Sequence, residues 1–471
     1  MMDLVVAKYG GSTIGDGGKY IPNIIKNIKQ LSVDSKVMAV FSAPLVLERG
    51  ESRSITDVVM WVGYNAERGI PPDLEPVRKL YDDISLMVDE SLRQECQDTI
   101  KTFLSRCQDA LERSYNERKF SDINRAQALG YSGELLMSCV MNYILQSNDI
   151  KSSFVPYEKW PIITSEAYEY TNFLAAESKK QLQPTLDIIK EYDVTCMGGF
   201  IGKTLTGKMS TYERGGTDRT AADMGILLQR YYNVRIVWEK NRAVASADPK
   251  MVKSGLLEVK YLSYNEARMA GMFGMKILDT MAIKDILDND VYVPLQITDM
   301  QDSSHTTIIQ RSVNNDDNHP IKIVTGLGNC AILRLRSSKF LDLQNSLEQV
   351  KRYNEFVPLS PYTKNNMWFS RILFSDGNYV RRNEEYLLKF DPTATIVYNR
   401  GAITLIGDDM WRVQHVVSKI AFQVGEAGIN ILNMDAQEET SRIIIIIEDF
   451  KSNLPKAIRA IHDIHQDIHF I

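Results

Sequence analysis

Lys8 closes the apolar run Val5-Val6-Ala7 and is followed by Tyr9, by the pair Gly10-Gly11 and by the hydroxyls of Ser12 and Thr13. This order suits a phosphate site. A short buried strand ending in lysine aims a point charge at the carboxyl edge of a sheet. Glycines beyond it let backbone N–H groups approach phosphoryl oxygens without a Cβ in the way. On its own a Gly-Gly pair reads as nothing more than a strand followed by a tight turn, so the rest of the chain must decide.

The elements that would position Lys8 follow an α/β grammar. Leu4–Ala7, Lys36–Phe41, Asp193–Met197 and Val234–Trp238 read as short apolar strands, each running into small residues with helical stretches between them. Such strands are parallel and buried on both faces. From about Pro72 to Gln127 charges recur at helical spacing, which predicts a solvated helical insertion. At 471 residues the chain exceeds one hydrophobic core, so two or three domains are expected.

Composition narrows the partners. Fifty-five Lys plus Arg stand against 60 Asp plus Glu, which gives no electrostatic footprint for nucleic acid. No stretch approaches membrane-span length, and Lys8, Asp16 and Lys19 interrupt what would be the apolar core of a signal peptide, so a cytoplasmic protein is expected. Five widely spaced cysteines without a C-x-x-C pair indicate neither zinc nor a disulfide framework, and no metal ligands are assigned.

After about Ser312 the pattern changes. Strands are expected at Ile321–Gly326 and Ala331–Leu335, then a helix near Leu341–Tyr353. The last seventy or so residues read βαββα: a strand at Ala402–Gly407, an amphipathic helix over Val413–Ala427, the turn Gly428–Ile431 into a strand, a strand at Arg442–Glu448 and a helix over Leu454–Asp463. A last strand is expected at Ile468–Ile471.

Seven segments in order resemble the amino-acid kinase superfamily, and in detail its aspartate kinases. Lys8-Tyr9-Gly10-Gly11-Ser12-Thr13 is similar to the family's Lys-Phe-Gly-Gly-Thr-Ser, and Phe41-Ser42-Ala43 to its Val-Ser-Ala. Gly133-Glu134-Leu135, Gly199-Phe200-Ile201-Gly202 and Arg214-Gly215-Gly216-Thr217-Asp218 follow, the last resembling Arg-Gly-Gly-Ser-Asp. Trp238 with Ala247-Asp248-Pro249-Lys250, and Phe273-Gly274-Met275-Lys276-Ile277-Leu278, complete the series. The resemblance implies a three-layer αβα kinase domain with a mostly parallel sheet over 1–311. It also implies two ferredoxin-like (βαββαβ) ACT domains, over 312–394 and 395–471.

It also implies roles. Phosphoryl transfer asks a protein mainly for positioning and charge neutralisation. Lys8 would hold the transferred phosphoryl group and Asp218 would orient it, these two being the catalytic pair. Gly10, Gly11, Thr13, Gly215, Gly216, Lys240, Lys250 and Lys276 would face the nucleotide, with ATP and Mg2+ as the implied cofactors. Arg214 would clasp the acceptor's α-carboxylate and Glu134 its ammonium group, with Ser42, Thr56, Thr217 and Glu213 nearby. Asp409, Asn430 and Ile431 fall where an ACT domain would bind an amino-acid effector, and ACT pairing implies a homodimer or a higher homo-oligomer.

The chain also departs from the pattern. The family's Trp-Thr-Asp-Val-Asp-Gly-Val-Tyr stands here as Trp238-Glu239-Lys240-Asn241-Arg242-Ala243-Val244-Ala245, so Lys240 and Lys250 would meet phosphates instead. Glu213 adds a carboxylate beside Arg214, Arg219 adds a cation where the family has an aromatic, and the loop Pro44–Ile55 is long and charged. Aspartate attacks as a carboxylate already ionised at neutral pH, whereas a hydroxyl acceptor such as homoserine needs a base. An aspartate kinase is the leading expectation. The alternatives are a homoserine kinase on the same scaffold and a catalytically weakened amino-acid-sensing subunit.

Overall fold

The computed structural model describes residues 1–48, 50–166, 171–213, 215–275, 277–311, 319–349, 356–437, 440–450 and 452–468. The contacts divide the chain into two compact units, Met1–Ala243 with Met281–Ile308, and Val244–Thr280 with Ile309–Ile471.

The first unit is built on β1 (Asp3–Tyr9), β2 (Lys36–Phe41), β3 (Ser152–Phe154), β4 (Val194–Gly198), β5 (Asn233–Lys240) and β6 (Leu295–Asp299). They pair in parallel in the order β6-β5-β1-β2-β4-β3. From β1 the chain builds outward through β2, then returns to add β5 on the other side of β1, so the strand order reverses between β1 and β5. Open parallel sheets bind ligands beyond the carboxyl ends of the strands at such a reversal.

Alternating side chains carry this sheet's two helical layers. Tyr9 donates its hydroxyl to Asn27 of the helix Ile21–Leu31 at 2.6 Å, while Lys8, next in line, points to the opposite layer. There α2 (Gly216–Leu228) packs against β1 and β5. The helix α1 (Glu134–Gln146) packs on β2 and β4. The expected αβα layering is present. The helical insertion is present as well, as Glu75–Ser85, Glu90–Glu117 and Asp122–Ser132. The longest of these buries Cys96, Ile100, Leu104, Cys107 and Leu111 at helical spacing.

The second unit carries an antiparallel sheet of β7 (Ile323–Arg336), β8 (Phe356–Lys364), β9 (Met367–Phe374), β10 (Thr395–Ile406), β11 (Asn433–Ala436) and β12 (Arg442–Glu448), ordered β8-β9-β7-β10-β12-β11. The two strands expected at 321–326 and 331–335 are one, β7. The Gly326–Asn329 segment is absorbed as a register shift against β10 between Leu327 and Cys330, with Asn329 at φ 52°.

Both long strands serve two cores. Ile321 and Val324, with Ile403 and Leu405 of β10 and Ile443, Ile445 and Ile447 of β12, pack under α5 (Val416–Glu426) and α6 (Asn453–Ile464). Ala331, Leu333 and Leu335 pack instead with Ile372, Phe374, Leu343 and Leu347, the last two from α4 (Phe340–Gln349). The βαββα order of the last segment is observed. The strand expected at Ile468–Ile471 falls largely outside the described residues. An earlier helix, α3 (Tyr264–Met272), opens on a capping box between Ser263 and Glu266.

Candidate active site

The register of the parallel sheet sets Lys8 level with Val40 and Trp238, Phe41 with Gly198, and Lys240 with Asp299. Lys8, Trp238 and Lys240 therefore share one face at the carboxyl edge. Lys8 Nζ lies 2.7 Å from Asp218 Oδ1, with both residues less than a tenth exposed. Lys240 is half-buried. Burial pushes its ammonium down, Asp218 opposes that and Lys8 adds to it, so all three groups share one field.

The glycine turn is shaped around the lysine. A Cβ on Gly10 would stand 3.0 Å from Lys8 Nζ, and one on Gly11 would stand 2.8 Å from the Ala43 carbonyl. The short turn Gly11–Ile14 follows, and Thr13 Oγ1 ties it to β5 by donating to the Glu239 carbonyl at 3.0 Å. Across the site α2 starts from Gly215 at φ 102°, a conformation that favours glycine, and among the described residues no side chain caps its start. Asp218 stands in that first turn, its own amide bonded to the Gly215 carbonyl at 3.0 Å.

Glu134 opens α1 and is buried. Its Oε1 accepts from the Ala43 amide at 3.2 Å, and among the described residues its Oε2 has no partner. Burial pushes this carboxyl up to about 7, and the Ala43 amide opposes that. A carboxylate in this condition is suited to receiving an ammonium group. Thr217 is buried against Gly199, whose Cβ would fall 2.2 Å from Thr217 Cγ2. Ser42 is half-buried, and its amide is bonded to the Tyr9 carbonyl. Glu213 is half-buried, and its carbonyl accepts from the Gly216 amide at 2.9 Å. Thr56 is half-buried in the first turn of the helix Ile55–Glu67, behind a small hairpin, Leu45–Glu48 with Glu51–Ser54, that the charged loop forms.

Other expected residues fall elsewhere. Arg214 and Lys276 lie outside the described residues. Lys250 is exposed in the second unit, its amide bonded to Asp248 Oδ1 at 2.9 Å. Arg219, read from sequence as an extra cation near the acceptor, is buried and held by Asp285 and the Thr171 carbonyl. Sequence reasoning missed Asp285, Tyr212 and Asp223 around it, because no spacing rule links residues so far apart. In the second unit Gly407 and Met410 line a cavity of about 230 Å³ with Trp411, Val416 and Arg442. Asp409 instead pairs with Arg412 at 3.3 Å, Asn430 is exposed and Ile431 packs on the core.

A profile of the amino acid kinase family matches residues 3–299. Among curated relatives, a bifunctional aspartokinase/homoserine dehydrogenase of Buchnera aphidicola is 23% identical over 342 residues, 70% of this chain but 41% of that protein. This chain thus spans less than half the length of that relative. Aspartokinase 1 of Bacillus subtilis is 20% identical over 343 residues, 71% of this chain and 80% of its own. In structure the chain resembles E. coli aspartokinase III in complex with aspartate and ADP, with a TM-score of 0.76 at 16% identity over 98% of this chain and 99% of that one. The aspartate kinase of Clostridium acetobutylicum gives 0.70 at 17% identity over the same shares. With Lys8, the glycine turn and Asp218 gathered at the strand reversal inside the matched segment, the chain belongs to the amino acid kinase family.

Proposed function

We propose that this chain is an ATP-dependent aspartate kinase. The observation that carries the reading is the Lys8–Asp218 pair, 2.7 Å apart at the carboxyl edge where the strand order reverses. The aspartokinase relatives support aspartate as acceptor over the homoserine and sensor alternatives. In the reaction a β-carboxylate oxygen of aspartate forms a bond to the γ-phosphorus, the bond from that phosphorus to the β,γ-bridging oxygen breaks, and ADP leaves with those electrons. No proton has to move from the acceptor, so cations and amides are the parts required.

Lys8 would neutralise the moving phosphoryl group, with Asp218 holding its direction. Lys240 would meet the polyphosphate from the same face, and the Gly10-Gly11 turn and Gly215 would offer amides, the Gly216 amide being held by the Glu213 carbonyl. Glu134 would receive the aspartate ammonium group, leaving Arg214 for its α-carboxylate. The described residues contain no cluster of three or more His, Cys, Asp or Glu able to hold a metal. Mg2+ is accordingly proposed as the ion carried by the triphosphate, which fits its habit of keeping waters and substrate phosphates as ligands. It supplies charge neutralisation there.

For the second unit we propose two ACT-like modules, divided near 312 and 395, that bind an amino-acid effector and pair into a homo-oligomer. The support is the βαββα order, together with the likeness to a second structure of E. coli aspartokinase III, in complex with lysine and aspartate. No helix among the described residues is long and apolar enough to cross a membrane, and a cytoplasmic location is proposed.

The test is incubation with ATP and Mg2+ and either aspartate or homoserine, trapping acyl phosphate with hydroxylamine and following phosphate monoester by 31P NMR. A hydroxamate from aspartate alone is expected. A phosphate monoester on homoserine, or no transfer to either, overturns the reading.

A further inference from the structure

Arg219 occupies the helical position directly after Asp218 and is 3% exposed. Its guanidinium is held at several points within the first unit. Nε and Nη2 fork onto the Asp285 carboxylate, the second at 3.2 Å, from the helix Thr280–Asp288. Nη1 donates to the Thr171 carbonyl at 2.9 Å, and the guanidinium carbon stands 4.5 Å from the centre of the Tyr212 ring. Tyr212 closes the cluster by donating its hydroxyl to Asp223 Oδ2, further along α2, at 2.5 Å. It also presses on the start of α2, where a Cβ on Gly216 would fall 2.4 Å from Tyr212 Cβ.

A bidentate fork, a carbonyl and a ring fix a guanidinium in direction as well as in place. Neighbouring helical residues project about 100° apart, so fixing Arg219 fixes the rotation of α2 and with it the direction of Asp218. A roll of about 20° at a side-chain radius of about 5 Å would swing the Asp218 carboxylate by about 1.7 Å. That is enough to break a 2.7 Å contact with Lys8. Misplacement of this size costs on the order of 10²-fold in rate when the geometry is productive.

We propose that Arg219 is a positioning residue: through Asp285, Thr171 and Tyr212 it sets the rotation of α2 that aims Asp218 at Lys8. The inference rests on the reading of Lys8 as the phosphoryl-holding lysine, and it assigns work to the residue that most departs from the family's aromatic.

The test uses the full chain with Arg219→Lys, which keeps the charge and loses the fork, and the double variant Arg219→Met with Asp285→Leu, which leaves no unpaired charge between those two positions. Expected in both is a 10- to 100-fold fall in kcat with the KM for aspartate and for ATP within twofold. In an Asp218→Asn background, Arg219→Lys is expected to add less than a threefold loss, because it acts through Asp218. A readout free of turnover is the Lys8 ammonium resonance in 15N-lysine-labelled protein, assigned by its disappearance in Lys8→Arg. It should shift in Arg219→Lys toward its position in Asp218→Asn. An unmoved resonance overturns the inference, as do losses that multiply in full with those of Asp218→Asn. If the unaltered chain shows no turnover on aspartate, the kinase reading fails and the resonance alone decides the positioning role.

Discussion

Some buried carboxylates of the two units differ in how fully they are bonded, although the Arg219–Asp285 pair of the first unit is closed. In the second, Glu266 is fully buried but closed: it meets Lys322 Nζ at 2.9 Å and accepts from the Ser263 and Asp408 amides at 2.7 Å each. Asp391 is likewise saturated by Arg336 and by the amide and hydroxyl of Thr393. In the first unit Glu134, Asp223 and Glu239 are buried, and each keeps one carboxylate oxygen without a hydrogen-bond partner among the described residues. An open valence in a dry site costs stability, whereas a closed one fixes geometry. Asp223 and Glu239 give their other oxygen to the fold, accepting from Tyr212 and Asn27, whereas Glu134 is the one of the three that the proposed function assigns to a ligand.

The comparison can be broken by substitutions on either side. Lys8→Met should lower kcat by about 10³-fold or more, equivalent to roughly 4 kcal/mol of barrier. Hydroxamate assays with circular dichroism check it, and a folded variant with full turnover would remove the site.

Glu134→Gln should stabilise the chain while weakening aspartate binding. The carboxyl titrates at about 7 in the folded state and at its ordinary value near 4.5 in the unfolded state. Folding therefore forfeits stability as pH rises from about 4.5 to 7, and above that the penalty is constant, up to about 3 kcal/mol. Urea unfolding at pH 8 should show most of this recovered in the variant.

Asp391→Asn sharpens the other side. Burial would push Asp391 up, but the Arg336 and Thr393 hydrogen bonds outweigh it and hold the carboxyl well below its usual range. Its contribution is present above about pH 4 and lost below, so the variant should lose about 1–3 kcal/mol at pH 7 with kcat unchanged. Denaturant melts beside turnover measure both.

The smallest effect belongs to His462, whose Nε2 lies 2.8 Å from Ser246 Oγ. Burial, aided by His465, pushes it down to about 4. The unfolded chain therefore takes up a proton near 6.5 before the folded one does. His462 by itself should remove roughly 1–2 kcal/mol of stability from pH 7 to 5, against the gain from Glu134 over the same range, and denaturant melts of the chain and of His462→Gln should differ in their pH dependence by that amount.

Much of this was legible in the sequence. The apolar runs before Lys8, Ser42 and Gly199 announced parallel strands because strands buried on both faces need continuous hydrophobicity, and glycines with no room for a Cβ left a readable trace at the site. The joining of 321–326 to 331–335 was not legible, since Gly326, Gly328 and Asn329 signal a turn and a bulge alike. Nor was the fate of Arg219, because Asp285 joins it only through the tertiary fold. A charge beside a motif can serve the ligand or the helix that carries the motif, and only packing distinguishes them.

The most direct test of an open carboxylate awaiting an ammonium group is the KM for aspartate between pH 5.5 and 8.5. With the Glu134 carboxyl near 7, KM should be level above that pH and rise toward tenfold per unit below it, and Glu134→Gln should show a raised, level profile. A level profile in the unaltered chain, or the same rise in both, would contradict the account.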